Sequence, residues 1–173
     1  MLPRGEPLLL PAKPGFIWGS LVAAGMLMVL QGQLGAPAWW PDWLALVLTF
    51  WSVHQPRRIG VGVAFAAGLL LDVHQGTLLG QHALAYTVLA YGAVSLHRRV
   101  LWFDQLGQTL HVLPLVLLAY ALQWLVRWLA GDGAPSWALW VAPVLTAACW
   151  PLATRVLLAP QRRAPDPDDT RPL

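Results

Sequence analysis

Charged side chains are scarce in this sequence. Of its 173 residues only 11% are Asp, Glu, Lys or Arg, less than half of the roughly 25% carried by an ordinary soluble domain. So few charges cannot cover a water-facing surface. With 57% hydrophobic residues, the solvent that fits the composition is lipid. Cysteine is nearly absent: Cys149, inside an apolar run, is the only one. A single thiol excludes an intrachain disulfide and any multi-cysteine zinc or iron–sulfur site, and reads as a small packing residue. The common catalytic and nucleotide-binding motifs are missing as well. There is no Gly-rich phosphate loop ending in Lys-Ser/Thr and no His-x-x-x-His metalloprotease helix. No nucleophile stands with a base and an orienting acid. Neither a cofactor nor a metal is expected. The net charge of +3 and pI near 9.6 come from basic residues scattered between apolar runs, not gathered in a patch, which argues against a nucleic-acid partner.

What is present is a series of six apolar runs, expected to form an all-α integral membrane protein with six transmembrane helices. They cover about Phe16 to Leu34, Trp39 to Val53, Ile59 to Val73, Leu78 to Leu96, Leu106 to Leu129 and Trp137 to Leu158. The first is long and no clear cleavage site follows it, so it is expected to stay as a helix, not to be removed as a leader. Residues 1–14 form a Pro-rich segment, 15–158 the helical domain, and 159–173 a Pro- and Asp-rich tail expected to be disordered. The second and third runs are short. Fifteen residues span only about 22 Å at 1.5 Å per residue, so thinning of the bilayer, shielding by neighbours or a re-entrant pair are all open. Pro41 and Asp42 open the second run, where Pro is tolerated and an acid suits the helix dipole. Pro114 should kink the fifth run or fall at a break.

Orientation follows from Lys and Arg. With a cytoplasmic N-terminus, Arg4, Lys13, Arg57, Arg58, Arg98, Arg99, Arg155, Arg162, Arg163 and Arg171 all lie inside, and only Arg127 lies outside. Both termini are then cytoplasmic. Arg127 is expected to pair with Asp132 or to reach for headgroups. The eleven tryptophans read as interfacial belts, with Trp39, Trp40, Trp43, Trp137 and Trp140 at one surface and Trp51 and Trp102 at the other.

Small residues recur every fourth position in the third run and beyond: Gly60, Ala64 and Gly68, then Asp72, Gly76 and Gly80. Residues four apart share a helix face, and a stripe of small residues lets another helix approach backbone to backbone. The first run repeats the rhythm in Gly15, Gly19 and Ala23. Such stripes serve packing within the chain, docking of a partner helix, or self-association. Asp72 is the acid most worth testing; accepting hydrogen bonds from the Gly-rich turn after it is its structural reading, and a proton, substrate or partner role is the functional one. His74 and His82 flank that turn without any metal-ligand spacing. His111, inside the fifth run, could bond across helices.

These residues carry a family resemblance. Pro41-Asp42-Trp43 opening a helix, Trp51 near its end, Pro56-Arg57, and the G-x-x-x-D-x-x-x-G-x-x-x-G pattern of Gly68, Asp72, Gly76 and Gly80 resemble the rod shape-determining protein MreD family, over about residues 39–96. The resemblance implies a bacterial inner-membrane component of the cell-elongation machinery, and a fold like the six-helix substrate-binding components of energy-coupling-factor transporters. It implies MreC, RodA with its class B penicillin-binding partner, and MreB as partners. It brings no catalytic residues; Pro41, Trp51, Pro56, Arg57, Gly68, Asp72, Gly76 and Gly80 carry over as structural or docking positions. The expected function is therefore a non-catalytic scaffold supporting cell shape and lateral peptidoglycan synthesis. A small-molecule substrate-binding or transport component is the alternative; it needs an outward cavity with convergent polar groups, to which Asp72, His74, His82 and Asp132 could contribute.

Overall fold

The computed structural model describes residues 12–131, 133 and 138–161. The expectations for the Pro-rich segment before residue 12, for Asp132 and Trp137, and for the tail beyond residue 161 lie outside these residues. The described chain is all-helical, with no strand among the described residues: α1 Pro14–Gln33, α2 Trp43–His54, α3 Val61–Gln75, α4 Gln81–Trp102, α5 Gln105–Leu129, α6 Ala138–Ala148 and α7 Trp150–Leu158, followed by a 3-10 turn, Ala159–Gln161.

Local chemistry sets the helix limits. Pro14 sits in the first turn of α1, where its missing N–H costs nothing. Asp42 caps α2 by accepting the Ala45 N–H, and Asp104 caps α5 by accepting the Gly107 N–H, satisfying donors left open at a helix start. Gly76 ends α3 in the left-handed conformation. The sixth apolar run forms two segments, α6 and α7, separated at Cys149. Pro151 has no N–H to give to the carbonyl four residues back, so the ladder is interrupted there. Pro114 does not fall at a break: α5 is one helix through it.

Three stretches are long and apolar enough to cross a membrane by length and composition: α1, α5 and the α6–α7 rod; α2 and α3 are apolar but shorter. Much of their apolar surface is exposed, including Trp18, Met26, Leu70, Leu110, Leu129 and Val156. Such a surface has no place in water and suits lipid.

The core forms around α2, which contacts α1, α4, α6 and α7. Nine of its twelve residues are buried, as expected for a helix apolar on every side. Trp51 belongs to this core and not to an interfacial belt. It is 0% exposed, and its indole N–H donates to Ser20 Oγ at 2.8 Å. Trp150 is equally buried, with its N–H on Gln108 Oε1 at 2.9 Å. Each ring joins two helices through one polar atom while filling core volume. Trp39, Trp40, Trp102 and Trp140 are exposed.

Hydrogen bonds between helices define two ends of the bundle. Gln31 on α1, Asp42 before α2, Asp72 on α3, Gln81 at the start of α4 and Arg127 on α5 meet at one end through contacts described below. The opposite end holds the turn with Arg57 and Arg58, the end of α4 with Arg98 and Arg99, and Arg155 on α7. At about 1.5 Å per residue, α2 is about 18 Å long and α5 about 38 Å. The short α2 and α3 leave a hollow at the aspartate end, walled by the longer helices.

Candidate functional site

The four-residue signature resolves into four different physical jobs at the α3–α4 junction. Gly68 is buried on the face of α3 that meets α4. A Cβ at this position would stand 2.6 Å from backbone atoms of His82 and Ala83, so only glycine lets the two backbones come this close. One turn later, Asp72 is 0% exposed and its carboxylate is saturated. Oδ1 accepts from Thr77 Oγ1 at 3.0 Å, His82 N at 2.9 Å and His82 Nδ1 at 2.7 Å. Oδ2 accepts from Gly80 N at 2.9 Å and Ala83 N at 3.3 Å. Asp72 is thus the cap of α4 supplied by the helix before it. It satisfies the open N–H groups of the first turn and places negative charge at the positive end of the dipole. Gly76, with φ 63°, and Gly80, with φ 97°, turn the chain between the helices; both positions lie where side chains are rarely accommodated.

A second carboxyl group is buried nearby. Asp42, 3% exposed, accepts Ala45 N on Oδ1 and the Tyr86 hydroxyl on Oδ2, at 2.8 and 2.7 Å. Its own N–H donates to Thr146 Oγ1 on α6 at 2.9 Å. His82 and Tyr86 are four residues apart on one face of α4 and pack edge to face at 5.8 Å. That face therefore carries Asp72 at one residue and Asp42 at the other, and ties α2, α3, α4 and α6 together. At the first turn of α4, Gln81 Oε1 accepts the Arg127 Nε–H from α5 at 3.2 Å. Tyr86→Phe should leave Asp42 Oδ2 short of a donor and cost about 1–3 kcal/mol. Thermal unfolding in detergent reads the loss; unchanged unfolding would mean that the bond contributes nothing to helix assembly.

The other sequence-derived positions fall around this centre. Ala64 is buried on α3 and Gly60 is its N-cap. Pro41 O accepts from Gln31 Nε2 at 3.3 Å. Pro56 begins the turn at the opposite end, and Arg57 and Arg58 are exposed there. Gly15 and Gly19 have no atom within 4 Å of an added Cβ, so the α1 stripe faces outward while the α3 stripe is covered by α4. His111 bonds within its own helix, to Gly107 O at 2.8 Å, and stacks on Phe103; among the described residues it makes no bond to another helix. Arg127 holds Gln81, a residue that sequence reasoning passed over along with Tyr86 and Thr146. Spacing offered a signal for one of them: Tyr86 lies four residues after His82, itself beside the signature.

Below Pro41 and Asp42, a cavity of about 530 Å³ opens among α1, α3 and α5, with Gln31, His74, Thr77, Tyr120 and Arg127 on its walls. Among the described residues no group of three metal-ligating side chains converges. Asp72 accepts five hydrogen bonds over its two oxygens, and Asp42 accepts one on each of its own.

Comparison with known proteins places this arrangement. The family model described as rod shape-determining protein MreD matches residues 13–157, from the start of α1 to the end of α7. The chain is similar to the rod shape-determining protein MreD of Haemophilus influenzae, 31% identical over 111 residues, covering 62% of this chain and 68% of that protein. No solved structure matches the chain. The matched span reaches into all seven α-helices and includes Asp42 and Asp72, and the chain belongs to the MreD family of rod shape-determining membrane proteins.

Proposed function

We propose that this protein is a non-catalytic scaffold of the bacterial cell-elongation complex. It crosses the inner membrane six times, with α6 and α7 forming one crossing, and both termini are cytoplasmic. Its exposed helix faces dock MreC, RodA and the class B penicillin-binding protein, with MreB reached from the cytoplasmic turns. The observation that carries the reading is the commitment of Asp72 and Asp42 to bonds that tie the helices together, so that these buried polar groups hold the bundle in shape. The exposed apolar faces supply the docking surface, because helices associate in lipid through close packing and interhelical bonds.

The orientation is supported by the segregation of charge. Of the seven described Lys and Arg residues, Lys13, Arg57, Arg58, Arg98, Arg99 and Arg155 sit at one end and Arg127 at the other, which the positive-inside rule assigns to the cytoplasm. The resemblance to energy-coupling-factor substrate-binding components belongs to this reading as an architecture. A transport role draws support from the polar cavity alone.

Affinity purification from native membranes in mild detergent, with mass spectrometry of bound proteins, tests the scaffold. An MreC-like single-pass protein and the wall synthases are expected. An ATPase-linked transport module in their place would overturn it. In a Cys149→Ala background, single cysteines at Arg57 and Arg98 should react only from the cytoplasmic side; labelling from the periplasm would overturn the topology.

A further inference from the structure

The polar cavity at the aspartate end adjoins a second hollow. An apolar groove of about 850 Å³ runs between α1 and α3 and shares Val29, Gln33 and His74 with the cavity. Its depth comes from small residues, Gly25 on α1 and Gly62, Ala66 and Ala67 on α3, while Trp18 and Leu70 flank it. The two hollows together are amphipathic. One part is apolar and follows the helices; the other is polar and lies at their end, where α2 and α3 stop short.

We propose that the two adjoining hollows together bind a phospholipid, with one acyl chain in the α1–α3 groove and the phosphate in the cavity against Arg127. Both volumes fall within the roughly 300–1,000 Å³ usual for ligand sites. Charge selects the headgroup. Among the described residues, Asp42 and Arg127 are the charged ones on the cavity wall. The Asp42 carboxylate is held on the Ala45 N–H and the Tyr86 hydroxyl, and the Arg127 guanidinium is the cationic group on the wall that a phosphate can meet. Gln81 Oε1 holds Arg127 Nε, which fixes the orientation of the guanidinium plane, and guanidinium groups match phosphate oxygens in geometry and charge. A transmembrane helix of a partner would fill the groove and leave the polar cavity beside it empty; a lipid fills both. In the orientation proposed above, the lipid comes from the outer leaflet.

The test uses the full-length protein in detergent, titrated with dioleoylphosphatidylglycerol or with dioleoylglycerol, which has the same chains and no phosphate, and read by native mass spectrometry. Wild type should hold one phosphatidylglycerol about tenfold more tightly than dioleoylglycerol, the scale of a charge-assisted contact. Arg127→Gln should erase that preference, and Arg127→Lys should keep part of it. Ala66→Leu should weaken both lipids by filling the groove. Arg58→Gln, at the opposite end, should change nothing. Unfolding temperatures identify any variant that has lost its fold; Arg127→Lys and Ala66→Leu then carry the test. Equal binding of the two lipids, or a preference untouched at Arg127, would overturn the proposal. Displacement of phosphatidylglycerol by millimolar inorganic phosphate would make the cavity a free-anion site and overturn it too. So would an Ala66→Leu variant that keeps lipid but loses a co-purifying membrane protein, since the groove would then belong to a helix.

Discussion

Gly68→Ala is expected to push α3 and α4 apart. The added Cβ would stand 2.6 Å from the Ala83 Cα, the Ala83 N and the His82 carbonyl carbon. All three are backbone atoms in the first turn of a helix, so no side-chain rotation relieves the contact. Overpacking a fitted interface costs about 1–3 kcal/mol; with an unyielding neighbour, about 2 kcal/mol or more is expected, and Gly68→Leu should exceed it. The shift would also draw the donors of α4 away from Asp72, which lies one turn along the same face. The measurement is thermal unfolding in detergent, together with rod-shape complementation in cells lacking the native gene. Gly19→Ala is the comparison: nothing lies within 4 Å of its Cβ, so unfolding should be unchanged or slightly raised, alanine being the better helix former by about 1 kcal/mol. Equal behaviour of the two variants would remove the close-approach account of the signature.

Asp72→Ala is expected to be at least as damaging, by a different route. It removes the acceptor of five hydrogen bonds, two of them from the backbone of the first turn of α4. A buried donor left without a partner costs about 1–3 kcal/mol, and in a bilayer no water replaces the acceptor. A loss of about 3 kcal/mol or more is expected. On the soluble-protein scale of about 2–4 °C per kcal/mol, the unfolding temperature falls by roughly 6–12 °C. Asp72→Asn should recover part of the loss, since one oxygen still accepts while the amide faces donors. A proton or substrate role for Asp72 makes the opposite prediction for Asn: unchanged unfolding with function abolished. The two readings therefore separate on stability and complementation measured together.

Both predictions concern residues that spacing singled out; Asp72 accepts from the Gly-rich turn as expected, and the structure adds the first turn of α4 to its donors. The four-residue beat of Gly60, Ala64, Gly68, Asp72, Gly76 and Gly80 is a periodicity, and periodicity reports which residues share a helix face. It does not report that the helix stops at Gly76, so that Gly76 and Gly80 form a left-handed turn instead of continuing the stripe. Nor does it tell one small stripe from another. Gly15 and Gly19 repeat the rhythm of Gly60, Ala64 and Gly68, yet they face outward while Ala64 and Gly68 are buried. Trp51 illustrates the same limit. Its place near the end of an apolar run suits an interfacial belt, but Ser20, thirty-one positions away, gives its N–H a partner inside the bundle.

What the sequence determined by itself was whatever depends on composition and local spacing. Lipid as the solvent follows from the shortage of charge; the apolar runs, the caps at Asp42 and Asp104 and the glycine turn follow from residues within a few positions of each other. The tertiary structure alone decided how distant polar groups are paired. Asp42 meets Tyr86 and Thr146, forty-four and one hundred and four positions along the chain, and Gln81 meets Arg127, forty-six positions on. The physical reason is that a hydrogen bond needs its two atoms within about 3 Å. Helices α2, α4, α5 and α6 reach that distance only once they are packed, and many packings are compatible with the same apolar runs. The placing of the groove beside the cavity is set in the same way, by where the short α2 and α3 stop relative to the longer α1 and α5.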